Sequence, residues 1–95
     1  MAGFRFIRNC SRPYEIQGMI YFTLANYWRL PKKQRERIDR LIIETCEARK
    51  NIAEVYAPAL RGWLIEGKII TEMVMKYAVR EQTLVQLRLE FYERW

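Results

Sequence analysis

The sequence predicts an all-α protein, and three observations favour this class. Only three prolines and four glycines occur, so long stretches lack a helix-breaking residue. Within these stretches, apolar residues recur at the i, i+3 and i+4 spacing of one helix face. Runs of β-branched residues, which favour strands, are scarce. The 95 residues, of which 51% are hydrophobic and 29% charged, predict a single folded domain over 1–95 with a modest core.

The basic N-terminal segment, residues 1–12, precedes the first helix signal. We interpret it as a short strand, an arm along a nucleic-acid backbone or, most simply, a frayed terminus. Ser11, Pro13 and Glu15 then signal the start of a helix over 13–29. The centre of this helix is apolar on nearly all sides, which predicts burial on several sides or contact with another subunit.

A second helix is predicted to begin at Pro31, because the residue before a proline avoids the α region. One apolar stripe predicts that it continues without interruption over 31–55. The two helices would form a helical scaffold over residues 13–55. A second break is predicted at Pro58.

The C-terminal segment, residues 58–95, is predicted to form a trihelical unit that ends in a helix-turn-helix. Its helices are expected over 58–66, 70–77 and 80–95, and a three-residue turn joins the last two. Several apolar residues of this unit are expected to be buried, namely Met73, Tyr77, Val79, Leu84 and Leu87.

This unit resembles the helix-turn-helix of sigma factor region 4 and of related response-regulator domains. The matching residues, in chain order, are Leu60-Arg61, Glu66-Gly67, Glu72-Met73, Ala78-Val79-Arg80 and Thr83-Leu84. Three positions depart from the family pattern. Val74 stands where a small residue usually lets the helices touch, Ala78 replaces the turn glycine, and Arg80 replaces a capping serine.

The resemblance implies a transcription regulator that inserts the helix over 80–95 into the major groove of double-stranded DNA. Small phage late-gene and antitermination regulators of the Q type are similar in size, and the resemblance also implies contact with RNA polymerase. Glutamine suits the edge of adenine, and aliphatic side chains suit the thymine methyl group or a protein partner. The residues implied to face DNA are Arg80, Gln82, Thr83, Val85, Gln86 and Leu89.

The net charge of +6 is unevenly distributed along the chain. Residues 1–30 and 31–50 each carry a net +3, whereas residues 51–95 are neutral. DNA affinity comes mostly from contacts to phosphates, so the cations of the second segment are the predicted phosphate contacts. Such a cluster is also common on a solvated helix face. The cations are Lys32, Lys33, Arg35 and Arg37.

A second hypothesis is a helical interaction or adaptor protein that keeps helix-turn-helix geometry without reading DNA. The neutral C-terminal unit, the missing turn glycine and a surplus of apolar surface favour it. The surplus lies on the first and last helices, and it also predicts a two-fold dimer.

Enzymatic activity is not expected, because the chain has no histidine, the commonest general base, and no glycine-rich phosphate loop. Two cysteines are too few for a disulfide framework, and without histidine neither a metal site nor a cofactor is expected. A secretory signal peptide is not expected, because Arg5, Arg8 and Arg12 interrupt the apolar run that it would need. The most apolar run, 18–28, is short of the ~20 residues of a membrane span. The expected location is the cytoplasm.

Overall fold

The computed structural model describes residues 7–49 and 53–95. These residues form five α-helices and no β-strand, so the protein is all-α, as predicted. None of these helices is long and apolar enough to cross a lipid bilayer. A short 3₁₀ turn, Tyr27–Arg29, lies between the first two helices. The helices are α1 (Tyr14–Ala25), α2 (Lys32–Ala48), α3 (Ala53–Leu64), α4 (Ile70–Tyr77) and α5 (Glu81–Arg94).

The segment before α1 is packed against the rest of the chain. Ile7 is buried, and its amide donates a hydrogen bond of 2.8 Å to Oε1 of the buried Gln17. Residues 7–12 are therefore neither a strand nor a frayed terminus, because Ile7 belongs to the core and Cys10 packs against it. Residues 1–6 of the predicted arm lie outside the described residues.

Arg12 connects this segment to the end of α5. Its guanidinium donates to the carbonyl oxygens of Tyr92 at 3.3 Å and Glu93 at 3.2 Å. The last carbonyls of a helix have no partner within the helix, and a cation there also complements the helix dipole. Arg12 therefore has a structural role at the end of the molecule where α5 terminates.

The first predicted helix boundary is wrong, because α1 ends at Ala25 and not at Arg29. Asn26 leaves the helical conformation at φ −106° and ψ 21°. Its side-chain amide donates to the carbonyl oxygen of Phe22 at 2.8 Å, which is the local hydrogen bond by which asparagine competes with a helix. The chain then tightens into the 3₁₀ turn.

The predicted continuous helix over 31–55 is also wrong. α2 ends at Ala48, and Arg49 follows at φ −105° and ψ 75°. The predicted break at Pro58 is wrong as well, because Pro58 lies inside α3. Proline removes one backbone donor from the helix, but the buried face of α3, with Ala59 and Leu60 fully buried, holds the helix together across it. The predicted boundary between scaffold and trihelical unit thus falls within one helix.

The core lies where α5 packs against α2, α3 and α4. Leu84, Leu87 and Phe91 of α5 are fully buried. α1 adds Ile20 and Leu24 to the same cluster of buried side chains. Four of the five residues predicted to be buried in the trihelical unit are buried, and the exception is Tyr77. Tyr77 is only half-buried because it ends α4.

Candidate nucleic-acid interface

The turn between α4 and α5 has the length that the sequence predicts. Ala78 adopts the left-handed conformation at φ 54° and ψ 45°, which is the conformation that favours glycine. Val79 is buried, and its amide donates to the carbonyl oxygen of Val74 at 3.3 Å. Arg80 then takes the extended conformation that precedes α5. The buried valine fixes the angle between the two helices.

A hydrogen bond ties this turn to α3. The backbone amide of Arg80 donates to the hydroxyl oxygen of Tyr56 at 3.2 Å. No side chain caps the start of α5, so the serine that the family pattern has at this position is not replaced by an equivalent group. Tyr56 was not identified from the sequence, because its partner is 24 residues away along the chain.

Four of the six predicted DNA-facing residues lie side by side along α5, whereas Arg80 precedes the helix and Thr83 lies outside this group. Arg80, Gln82 and Val85 are exposed, whereas Thr83, Gln86 and Leu89 are half-buried. Residues three or four positions apart lie side by side on a helix. Gln82, Val85, Gln86 and Leu89 therefore form a continuous strip along α5 on the side away from Leu84 and Leu87. Leu89 also packs partly against the core.

The basic cluster formed by Lys32, Lys33, Arg35 and Arg37 does not join this strip. α2 and α5 run antiparallel, because Arg49 near the end of α2 bonds to Glu90 at 2.5 Å and Leu41 shares a cavity with Trp95. Arg37 lines the same cavity as Trp95, so at 1.5 Å of helix rise per residue Arg37 and Gln82 are separated by roughly 20 Å along α5. The two sets of predicted site residues occupy opposite ends of the molecule.

The cations closer to the strip are few. Lys76 and Arg80 are exposed beside the turn, and so is Glu81. The guanidinium of Arg88 lies 4.7 Å from the ring centre of Trp63, and burial lowers the pKa of Arg88. Arg88 is therefore engaged in packing. The surface around the start of α5 carries mixed charge, and Lys76 is a cation there that the sequence did not predict as a DNA contact.

Apolar side chains are also exposed on α4 and α5 and just before α4. The exposed fraction is 65% for Ile69, 79% for Met75 and 42% for Val85. Single exposed apolar side chains are normal on a protein surface, whereas a contiguous patch of them is typical of an interaction surface. Exposed apolar side chains near the turn favour a protein partner over DNA.

Arg61 is one of the residues on which the resemblance to sigma factor region 4 rests. In the structure it belongs to a polar cluster within the fold. Its guanidinium bonds to the carboxylate of Asp39 and to the hydroxyl oxygen of Tyr27 at 3.0 Å. Tyr27 donates in turn to Asp39 at 2.8 Å. Burial lowers the pKa of Arg61, but the hydrogen bonds to Tyr27 and Asp39 outweigh it and raise that pKa overall. The cluster joins the 3₁₀ turn, α2 and α3, so Arg61 is engaged within the fold.

The residues that could bind a metal ion, and the thiol of Cys46, are placed as follows in the described part of the chain. Within residues 7–49 and 53–95, no three side chains of His, Cys, Asp or Glu are grouped so as to hold a metal ion. Cys46 is fully buried, and burial raises its pKa to about 11. Because the thiolate is the reactive form, Cys46 is an inert core residue.

No protein-family model, curated protein or solved structure matches this chain. The strip on α5 is therefore interpreted from its own residues and their geometry.

Proposed function

We propose that the protein is a DNA-binding transcription regulator that places the first half of α5 in the major groove. The observation that carries this proposal is the three-residue turn, in which the left-handed Ala78 and the buried Val79 set the angle between α4 and α5. This arrangement leaves polar residues at the start of α5 on the surface. The major groove is wide enough to admit one α-helix.

In this proposal each residue of the strip has a role. Gln82 and Gln86 hydrogen-bond base edges, where glutamine pairs with adenine through two atoms. Val85 and Leu89 contact thymine methyl groups. Thr83 and Arg80 lie at the start of the helix, where Arg80 reaches a phosphate.

The distance between the basic cluster of α2 and the strip on α5 changes the role that we propose for the cluster. Lys32, Lys33, Arg35 and Arg37 lie too far from the strip to contact the same few base pairs, so Arg80 and Lys76 are the proposed phosphate contacts. Two contacts give a slope of only about −2 when the logarithm of affinity is plotted against that of salt concentration. One copy therefore binds weakly, and we include a second copy or RNA polymerase in the proposal as the source of further affinity.

The resemblance to sigma factor region 4 supports the choice of RNA polymerase as a partner, and a phage-type late-gene or antitermination regulator is the specific class that we propose. Both remain parts of the proposal. Such a regulator would act in the cytoplasm.

The test is selection of a preferred duplex from a random pool, followed by titrations at several salt concentrations. Gln86→Ala should cost about 1–3 kcal/mol on the preferred duplex and relax the preference at one base pair. Arg80→Ala should weaken binding to every sequence and reduce the salt slope by ~1.

The matched control is the double variant Lys32→Ala and Lys33→Ala at the opposite end of the molecule. It should leave both base preference and salt slope unchanged. If the Gln86 variant binds every duplex as the parent does, α5 does not read bases and the proposal fails.

The alternative is an adaptor protein that uses the same surface to bind another protein. The exposure of Met75, Ile69 and Val85 favours this alternative. It predicts that no duplex is selected above background. It also predicts that Met75→Asp, which leaves the core intact, removes binding to the protein partner.

A further inference from the structure

An apolar groove lies at the end of the molecule remote from the α4–α5 turn. α1, α2 and the end of α5 enclose it, and its volume is about 250 Å³. This volume is below the range typical of small-molecule sites, and it suits one or two large apolar side chains. The apolar lining comes from Met19, Leu30, Ile38, Leu41 and Trp95.

One rim of the groove is basic. Arg37 lines the groove, and Lys33 and Arg40 lie one turn before and one turn after it on the same side of α2. All three are exposed, and no carboxylate of the described residues forms an ion pair with any of them. Glu36 lies one turn after Lys33 and one turn before Arg40, but it pairs with Lys32 at 3.8 Å. Glu44 lies one turn beyond Arg40. Positive charge therefore borders the part of the groove where Arg37 lies.

We propose that this groove binds an acidic amphipathic helix of a protein partner. Apolar side chains of the partner enter the groove at the i, i+3 or i+4 spacing that such complexes use. Carboxylates on the flank of the same helix face Lys33, Arg37 and Arg40. The inference does not depend on DNA recognition by α5, since the groove lies at the opposite end of the molecule.

Charge complementarity decides between this occupant and two others. A second copy of the chain, related by two-fold symmetry, would bring two basic rims together, which is unfavourable. The phosphates of duplex DNA could pair with the basic rim, but they make no favourable contact with the apolar lining of the groove. An acidic amphipathic helix complements both, because its apolar side matches the lining and its carboxylates match the basic rim.

The experiment uses three synthetic helical peptides with the same leucine and phenylalanine anchors. The flanking positions carry glutamate in the first peptide, glutamine in the second and lysine in the third. Affinities for the full chain are measured by calorimetry. The glutamate peptide should bind at least about tenfold more tightly than the glutamine peptide, and added salt should reduce that difference.

Charge reversal supplies the decisive variant. Arg37→Glu combined with Arg40→Glu should lose the preference for the glutamate peptide and acquire one for the lysine peptide. Met19→Asp places a carboxylate in the lining at a side chain that is 49% exposed, so the fold is kept and binding of the glutamate peptide should fall about tenfold. The matched control is Lys68→Glu, at an exposed position between α3 and α4, which should change nothing. Circular dichroism verifies that each variant is folded.

Several results would overturn the inference. One is equal binding of the three peptides, and another is no saturable binding below about 1 mM. A charge-reversed rim that still prefers glutamate would also exclude it. If Arg37→Glu instead weakens duplex binding or alters the sedimentation of the chain alone, the rim serves DNA or a second copy, and the proposed partner is wrong.

Discussion

Gly62 of α3 lies directly against Met73 of α4, so that a Cβ atom added at Gly62 would lie 2.5 Å from Sδ of Met73. Met73 is buried, so its thioether would have to shift within the core to make room for that atom. The absence of a side chain at Gly62 therefore sets how closely the two helices approach. In the family pattern the small residue is expected at the position of Val74, whereas here the close approach occurs at Gly62.

The first prediction is that the effect of Gly62→Ala depends on Met73. In the parent protein the substitution should lower the free energy of unfolding by about 1–3 kcal/mol, because overpacking displaces Met73. In a Met73→Ala background, Gly62→Ala should be neutral or should raise stability by up to ~1 kcal/mol, as alanine favours a helix. Urea unfolding of the four proteins measures this coupling, and equal effects in both backgrounds would refute it.

The second prediction concerns the left-handed residue of the α4–α5 turn. Alanine in this conformation is strained by roughly 1–2 kcal/mol, and glycine is not. Ala78→Gly should raise the free energy of unfolding by about 0.5–1 kcal/mol, since the greater entropy of glycine in the unfolded chain offsets part of the gain. The control is Gly67→Ala, at φ 73° with open space around it, which should destabilise the protein. A loss of stability on Ala78→Gly would contradict the geometry of the turn.

The third prediction separates the two sides of α5. Leu84 and Leu87 are fully buried, so their replacement by alanine should each cost about 2–5 kcal/mol. Val85→Ala, on the exposed side, should change the free energy of unfolding by less than ~0.5 kcal/mol. Chemical denaturation gives all three values. Losses below half a kcal/mol at both leucines would mean that α5 faces the other way.

The fourth prediction is a loss of stability at alkaline pH. Burial raises the pKa of Cys46 from 9.0 to about 11, so the unfolded chain releases this proton at a lower pH than the folded chain. The stabilisation is complete below pH 9 and is lost as the pH rises toward 11. Each such group contributes a slope of up to about 1.4 kcal/mol per pH unit.

Urea unfolding at several pH values between about 8 and about 11 measures this loss. Cys46→Ala should be less stable at neutral pH but should show a shallower alkaline decline. Burial also raises the pKa of Tyr92 from 10.0 to about 12, so Tyr92→Phe should remove a later part of the decline. Parallel curves for the parent and for Cys46→Ala would show that the thiol does not cause it.

The fifth prediction is self-association through the outer side of α1. The sequence placed the surplus apolar surface on the first and last helices. In the structure α5 buries most of its own apolar residues, whereas Phe22 of α1 remains 58% exposed. The chain should sediment as a two-fold dimer, and Phe22→Glu should give a folded monomer. Sedimentation of the parent protein as a monomer at high micromolar concentration would contradict this prediction.

The sequence predicted the turn between α4 and α5 correctly because short-range rules govern it. Apolar spacing located Leu84 and Leu87, and Val79 was recognised as the residue that fills the angle between the helices. The helix ends were predicted less well. Asn26 ends α1 through its own side-chain hydrogen bond, and Pro58 is accommodated inside α3 because tertiary packing stabilises that helix. Both outcomes depend on competing free energies of similar size, which spacing alone does not rank.

The candidate site also depends partly on local sequence patterns and partly on how the helices pack. Helical periodicity alone places Gln82, Val85 and Gln86 on one side of α5, so the sequence determined the composition of that strip. The distance between the strip and the basic cluster at Lys32 and Lys33 was decided by the antiparallel packing of α2 on α5. The groove around Leu41 and Trp95 arises in the same way, because its walls are brought together from distant parts of the chain. Local side-chain patterns determined which residues share a helix face, and the packing of the helices decided which faces meet.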